Sequence, residues 1–435
     1  MTFDYNENLL QFIWEHQLYQ QQKLTTLKGE NLTIINQGTL NVNSGPDFEN
    51  AHIRIGKTDF HGSIEIHIYE KDWLAHNHQF DKAYNNVILH VCYSASKEVL
   101  REDGTKTPSL SLKDRLDGRP LSKYENLMRD QSFIPCQNQI KTINPFELSN
   151  WLDRMLIERV EERCKRFNQH LSDSNNNWNS VLYMSTLRAF GMPINTKGFE
   201  ELARKLPFEF IQKHAHSIFQ LEALLFGASG LLSEAIPDSY YKSLQEEYSF
   251  LKTKYDLMEI ATKLKTGRMR PMNLPHIKLA QIAALIYSVP NWTSTILSLS
   301  NMSELRKVFS FELSDYWTTH FTFKSASPPK SKKMSKQVTN HLLLNAIIPF
   351  VFLFETKKQN GNAEKALEHL LEIPSEKNKI IEQWKRAGIN SQSAQNSQAL
   401  LHLYKTYCKK KLCLNCNIGR KLLLTNKDGS NKNIY

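Results

Sequence analysis

Apolar positions at the start of this 435-residue chain follow first a helical period and then an alternating one. Leu9, Leu10, Phe12, Ile13 and Leu18 have helical spacing within 6–22, which predicts a helix ending before the polar run Gln20–Lys23. Strand-like runs follow at Leu32–Ile35, Ala51–Ile55 and Ser63–Tyr69, separated by the turn-forming segments GTLNVNSGPD and GKTDFHG. A further run, NVILHVCY at Asn86–Tyr93, comes after a polar, aromatic segment in which a short helix is expected. The order helix, three strands, short helix, strand is accommodated most simply by a mixed sheet with flanking helices.

From about Pro145 the pattern turns helical and stays so. FELSNWLDRMLIERVEERCKRF carries Leu148, Leu152, Leu156 and Val160 on one stripe, with an acid in its first turn and bases in its last, as the helix dipole favours. Further helices are predicted at about 178–190, 198–205, 217–226, 239–263, 275–288, 302–309, 340–354, 363–371, 376–386 and 393–407. SASPPKSKKMSK (325–336) reads as a basic surface loop. The expected fold class is therefore α+β, with a small mixed-sheet domain over 1–140, an all-helical domain over 141–400 and a cysteine-rich basic tail over 401–435.

Composition adds limits. With 40% apolar and 23% charged residues the chain is suited to a globular core, and it has no run of twenty uninterrupted apolar residues. Its start, MTFDYNENLL, lacks the basic-then-apolar layout of a signal peptide, so the expectation is a cytoplasmic protein with no membrane partner. Charge is unevenly spread. Residues 1–100 hold twelve Asp and Glu against seven Lys and Arg, a net −5, which leaves +16 for the rest of a chain whose total is +11. The same hundred residues hold seven of the fifteen histidines. An acidic, histidine-rich part beside a basic one suits cation binding in the first and a polyanion, nucleic acid, for the second. The alternative is that the bases only solvate a helical surface.

Chemistry concentrates in Ser63–Tyr69. Alternation puts Ile64, Ile66 and Ile68 on one face and Glu65, His67 and Tyr69 on the other. Asp47 follows the Gly45-Pro46 turn at the entrance to the preceding strand, with seventeen residues between it and Glu65. If the two strands form a hairpin, the carboxylates converge, and a divalent cation is the usual way to keep both ionised. Hard oxygen ligands suit Mg²⁺ or Mn²⁺. A solvated strand face is the competing reading. Downstream, His76, His78, Asp81 and His90 add imidazoles and a carboxylate suited to Zn²⁺ or Mn²⁺. His90, within an apolar strand, reads equally well as a hydrogen-bonded core histidine.

Helix, three strands, helix and strand with P-D-x17-E-x-H resembles the core of the PD-(D/E)XK nuclease superfamily. That resemblance implies metal ligation by Asp47 and Glu65, a first-helix carboxylate at Glu7, and His67 in the place of the lysine that activates water. Lys71, four residues beyond His67 and on the same face by strand alternation, is the candidate for the missing positive charge. GTLNVNSGPDF, GSIEIHIYEKDWLAHNH, DKAYNNVILHV, RPMNLP and YCKKKLCLNCNIG resemble a bacterial family of uncharacterised proteins, the domain of unknown function 2851, which implies no activity.

Cys408, Cys413 and Cys416 form C-x4-C-x2-C, one ligand short of a metal site. Cys136 is the best remote fourth ligand and His402 the runner-up, giving Zn²⁺ or an iron–sulfur cluster; reduced, unliganded thiols are the alternative. Nucleases of the same superfamily with one early and three late cysteines around such a cluster are similar. Lys405, Lys409, Lys410, Lys411, Arg420 and Lys421 surround the run as a basic cluster suited to phosphates. Arg268 and Arg270 in GRMRPMNLP form a second basic candidate, unless that segment is an elbow in which Asn273 caps the next helix. The leading expectation is a metal-dependent nuclease. The others are a non-catalytic nucleic-acid-binding scaffold and a Zn²⁺ hydrolase of a small substrate.

Overall fold

The computed structural model describes residues 5–116, 118–299, 301–358 and 361–425. They fall into two compact units, the first drawn from Met1–Trp151, Gln383–Ile389 and Leu403–Tyr435, the second from Leu152–Glu382 and Asn390–His402. The expected boundary near 140 thus lies at Trp151, and the described residues from Leu403 onward belong to the first unit instead of forming a separate tail.

In the first unit, α1 (Glu7–Glu15) begins at Asn6, whose side chain accepts from the Leu9 N–H at 2.9 Å. It is shorter than the expected 6–22, because Gln17 takes a left-handed conformation and Leu18 folds back to donate to the Ile13 carbonyl. Next come β1 (Leu32–Asn36), β2 (Thr39–Leu40), β3 (Phe48–Ile55) and β4 (Thr58–Tyr69), then α2 (Asp72–Ala75) and β5 (Val87–Ser94). The short strands β6 (Val99–Leu100), β7 (Lys106–Thr107) and β8 (Ser109–Ser111) precede α3 (Arg119–Arg129). The main sheet has the order β1-β3-β4-β5-β8, with β2 also on β3. β1–β3 and β3–β4 pair antiparallel, and β5 is parallel to both β4 and β8. Parallel neighbours cannot be joined by a tight turn, so the chain between β4 and β5 must cross over, and that crossover carries α2, His76 and His78. β5 has neighbours on both sides, and Val87, Ile88, Leu89, His90, Val91 and Cys92 are all buried, as the unbroken apolar run of a central parallel strand requires.

α4 (Pro145–Asp173) leads into the second unit, where the expected helices occur at Trp178–Phe190, Ile218–Ala228, Ser239–Tyr255 and Pro275–Ser288 among others. The helix from Ser239 stops eight residues early because Asp256 is left-handed at φ 51°. Helices Phe208–Lys213 and Trp292–Ser298 are additional. The unit is not purely helical, since His320–Thr322 pairs with Ser325–Ala326. That hairpin takes the start of the expected 325–336 loop, in which Lys332 is buried with its amine on the Thr318 carbonyl. Lys336–Lys357 is, among the described residues, the one helical stretch long and apolar enough to cross a membrane, and Leu342, Leu343, Ile347 and Phe350 within it are buried in the unit. Glu222, fully buried, accepts from Tyr240 OH, Ser314 Oγ and Trp317 Nε1 at 2.7–2.9 Å, which accounts for a charged group in an otherwise apolar interior.

Candidate metal centre

Asp47 is aimed by its loop. Asn41 bridges the turn, donating from Nδ2 to the Pro46 carbonyl at 3.1 Å and from its backbone to the Asp47 carbonyl at 2.7 Å. Gly45 at φ 112° supplies a conformation that L side chains avoid. The hairpin between β3 and β4 forms as expected, with Phe48 opposite Ile64, so Asp47 reaches the residues beside Glu65. Its Oδ2 accepts from the Ile66 N–H at 3.0 Å and its Oδ1 from Gln11 Nε2 at 2.8 Å. In return Glu65 Oε2 accepts from the Asp47 N–H at 3.0 Å. The two acidic residues lock each other across the hairpin.

Glu65 and His67 are 5% and 1% exposed, which removes the reading of a solvated strand face. Glu65 Oε1 lies 3.5 Å from His67 Nε2 and 3.2 Å from His78 Nε2. The His78 contact lacks hydrogen-bond angles, leaving that buried nitrogen without a hydrogen-bond partner. His67 Nε2 is 3.1 Å from His76 Nδ1, and ligand nitrogens of His67, His76 and His78 lie within 4.8 Å of one another. His76 caps the end of α2 and His78 opens the next turn; Asn77 between them is left-handed at φ 63°. They converge because the chain reverses at Asn77, not because they share a face of an extended segment.

Behind these groups, His67 Nδ1 meets His90 Nε2 at 2.9 Å. When His67 donates there, its Nε2 lone pair faces Glu65 and His76, the orientation a metal-ligating imidazole needs. His90 is thus the hydrogen-bonded core histidine of the sequence reading, with a positioning role. Trp73, fully buried, sets its ring 5.3 Å from that of His78 and 5.2 Å from that of His90, and Tyr84 stacks on His78 at 3.8 Å. Gln11, Trp73 and Tyr84 were not singled out from sequence. The available signals were the i, i+4 spacing of Gln11 from Glu7 and a tryptophan set in a polar segment between histidines.

Burial raises Asp47 to about 7, with Glu65 adding repulsion, and raises Glu65 likewise to about 7 despite the Asp47 N–H. Burial raises half-buried Glu7 too, opposed by His76 and His78, so α1 brings a third carboxylate within electrostatic range. Burial pushes His67 far down and His90 to about 3, each with a neighbouring imidazole opposing a second positive charge. The metal-free cluster is therefore neutral imidazole beside reluctant carboxylate, a set of donors that a cation would complete. A cation must displace protons held up to about pH 7. Mn²⁺ affinity is thus expected to rise between pH 6 and 8 by about tenfold for each carboxylate that must ionise, as calorimetric titration would measure. Melting temperature is a poorer readout. The raised carboxyls contribute stability that is lost as pH rises from about 4 through 7, whereas the depressed histidines contribute stability lost as pH falls below about 6.5.

The remaining candidates are placed differently. β4 ends at Tyr69, so alternation does not extend to Lys71, which caps α2 and sets its amine 5.2 Å over the Tyr69 ring. Asp81, exposed, caps the turn at Lys82–Asn86 by accepting from the Ala83 N–H at 2.9 Å. Arg268 and Arg270 are exposed; Asn273 closes a short turn, and the helix at Pro275 starts from Leu274 instead. Lys409 and Lys410 are exposed, but Lys411 donates to the Met128 and Asp130 carbonyls, capping the C-terminal end of α3. Arg420 pairs with Glu15 and Lys421 with Glu147, so the basic cluster is partly spent inside the fold. Cys136, Cys413 and Cys416 are buried, Cys408 is half-buried, and all are free thiols. His402, in the second unit, contacts Glu158 at 3.4 Å instead.

A family described as protein of unknown function (DUF2851) matches residues 7–379. The chain belongs to this family. The match spans Asp47, Glu65 and the imidazole cluster and ends before the cysteine run. No curated protein and no solved structure matches the chain.

Proposed function

We propose that this member of the family is a divalent-metal-dependent nuclease that hydrolyses phosphodiester bonds of DNA or RNA. The observation that carries the reading is the convergence of His67, His76 and His78, with Glu65 touching two of them and Asp47 locked to Glu65. Three nitrogens with carboxylate favour Mn²⁺ or Zn²⁺ over Mg²⁺. A cation held there would supply Lewis acidity and lower the pKa of water.

The chain's own residues divide the remaining work. Glu65, His67, His76 and His78 hold the cation, while Gln11 and the Ile66 N–H hold Asp47. With a proton affinity near neutrality, Asp47 is matched to accept a proton at pH 7. His76 is exposed and leaves a side open to substrate. A polar cleft lined by Glu49, Asn50, His61, Ser63 and Asn86 runs beside the hairpin, and Ser63 sits two residues before Glu65 on β4. The antiparallel hairpin followed by a helical crossover to parallel β5 supports the likeness to PD-(D/E)XK nucleases. Exposed Lys409 and Lys410, in the same unit as the metal centre, are the bases left available for phosphate contacts there.

Two other readings have specific support. The imidazole where a lysine belongs favours a non-catalytic nucleic-acid scaffold. The nitrogen-rich ligand set favours a Zn²⁺ hydrolase of a small substrate. Purified protein with Mn²⁺, Zn²⁺ or Mg²⁺ is expected to cut DNA or RNA, and Asp47→Ala to abolish cutting with an unchanged circular dichroism spectrum. Binding should weaken steeply with salt as condensed counterions are released. Metal-dependent binding without cutting would establish the scaffold, and hydrolysis confined to small esters would establish the third reading.

A further inference from the structure

Cys136, Cys408, Cys413 and Cys416 are not among the groups that meet at the imidazole cluster. Cys136 precedes α4, and the other three follow the whole second unit in sequence, yet all four belong to one compact unit. Phe133, three residues before Cys136, stacks on Tyr404, four residues before Cys408, at 4.6 Å, which lays the two cysteine-bearing segments side by side. Burial raises the Cys136 and Cys408 thiols, and their cysteine neighbours add to the rise. The backbone keeps them together. Cys416 N–H donates to the Cys413 carbonyl at 3.3 Å, and Lys411 N–H to the Cys408 carbonyl at 3.0 Å. A Cβ on Gly419 would come within 2.2 Å of the Cys413 carbonyl oxygen, so the close turn requires glycine there. Lys411 ties this turn to the carbonyls of Met128 and Asp130, just upstream of Cys136.

Cys416 precedes the helix Asn417–Leu424, and burial raises its thiol while the N–H groups of Ile418 and Gly419 oppose the rise. Burial raises the other three thiols as well, and a cation bound among them would offset the cost of ionising them together.

From the packing of these two segments we infer that Cys136, Cys408, Cys413 and Cys416 close around a metal as a four-thiolate centre, holding one Zn²⁺ or one iron–sulfur cluster. Four thiolates suit either group. The centre is structural. It closes the loop between Cys136 and Cys408 and clamps the Cys408–Cys416 segment against the residues after α3. It also gives Lys411 a second purpose, since its ammonium opposes the rise that burial imposes on the Cys413 thiol.

Metal analysis of the full chain purified without oxygen tests this, with X-ray absorption to identify the ligand atoms. The expected result is either about one zinc with sulfur neighbours at about 2.3 Å, or iron with acid-labile sulfide and visible charge-transfer bands. Cys413→Ser is expected to lose that sulfur-ligated metal and melt at a lower temperature, while Cys164→Ser, whose thiol donates to the Pro349 carbonyl in the second unit, keeps it. Should Cys413→Ser fail to fold, the wild-type stoichiometry and the half-buried Cys408→Ser give the same readout. Glu65→Gln should leave the sulfur-ligated metal in place, which separates this site from the imidazole cluster. Wild-type protein with neither zinc nor iron on sulfur, or with the four cysteines paired as disulfides, overturns the inference.

Discussion

Glu65→Gln is expected to weaken Mn²⁺ binding by about 100-fold or more while the protein stays folded. Glutamine keeps the shape of the side chain and an oxygen able to accept from the Asp47 N–H, so the hairpin lock survives. What it loses is the negative charge between His67 and His78. Its amide also presents N–H groups to nitrogens whose lone pairs the cation requires. Calorimetric titration at pH 8, where the wild-type carboxyls are ionised, measures the loss, and a thermal melt checks the fold. Affinity within a few-fold of wild type would remove Glu65 from the site.

Trp73→Ala should be the most destabilising single change near the site, costing about 3–5 kcal/mol. Its side chain is fully buried with Tyr84, Val87 and Val99, and its indole N–H donates to the Leu100 carbonyl at 3.0 Å, holding β6 against the crossover. The same ring backs His67, His78 and His90, so its loss should weaken metal binding as well as stability. Hydrogen exchange of β5 amides, compared with urea unfolding, assigns the effect to the first unit. A loss below about 1 kcal/mol would mean that the imidazoles are not supported in this way.

Much of the site was legible because it rests on local rules. Strand alternation placed Glu65 and His67 together, and the Gly45-Pro46 turn put Asp47 at the mouth of the paired strand. The rest depended on long-range packing, which periodicity does not report. His76 and His78 meet through one left-handed residue, Asn77, and a crossover whose path is set by parallel pairing of β4 and β5. Lys71 missed the site because the strand ended two residues earlier than alternation needed. Lys411 looked like a surface base in sequence, but the nearby end of α3 offers carbonyls that attract an ammonium. Most helical stretches were found, but their ends were misplaced by up to about eight residues where a single residue such as Gln17 or Asp256 in the left-handed region decides termination, and Phe208–Lys213 and Trp292–Ser298 were not foreseen.

The central claim is that the imidazoles and carboxylates of the first unit make one metal site. Crystals of the wild-type protein soaked in Mn²⁺ at pH 8, with data collected at the manganese absorption edge, test it most directly. The expected anomalous map holds a peak at ligand distance from His67, His76, His78 and Glu65, and the peak is absent from Glu65→Gln crystals treated alike. A map with no manganese among those side chains, at a concentration that saturates binding in solution, would contradict the account.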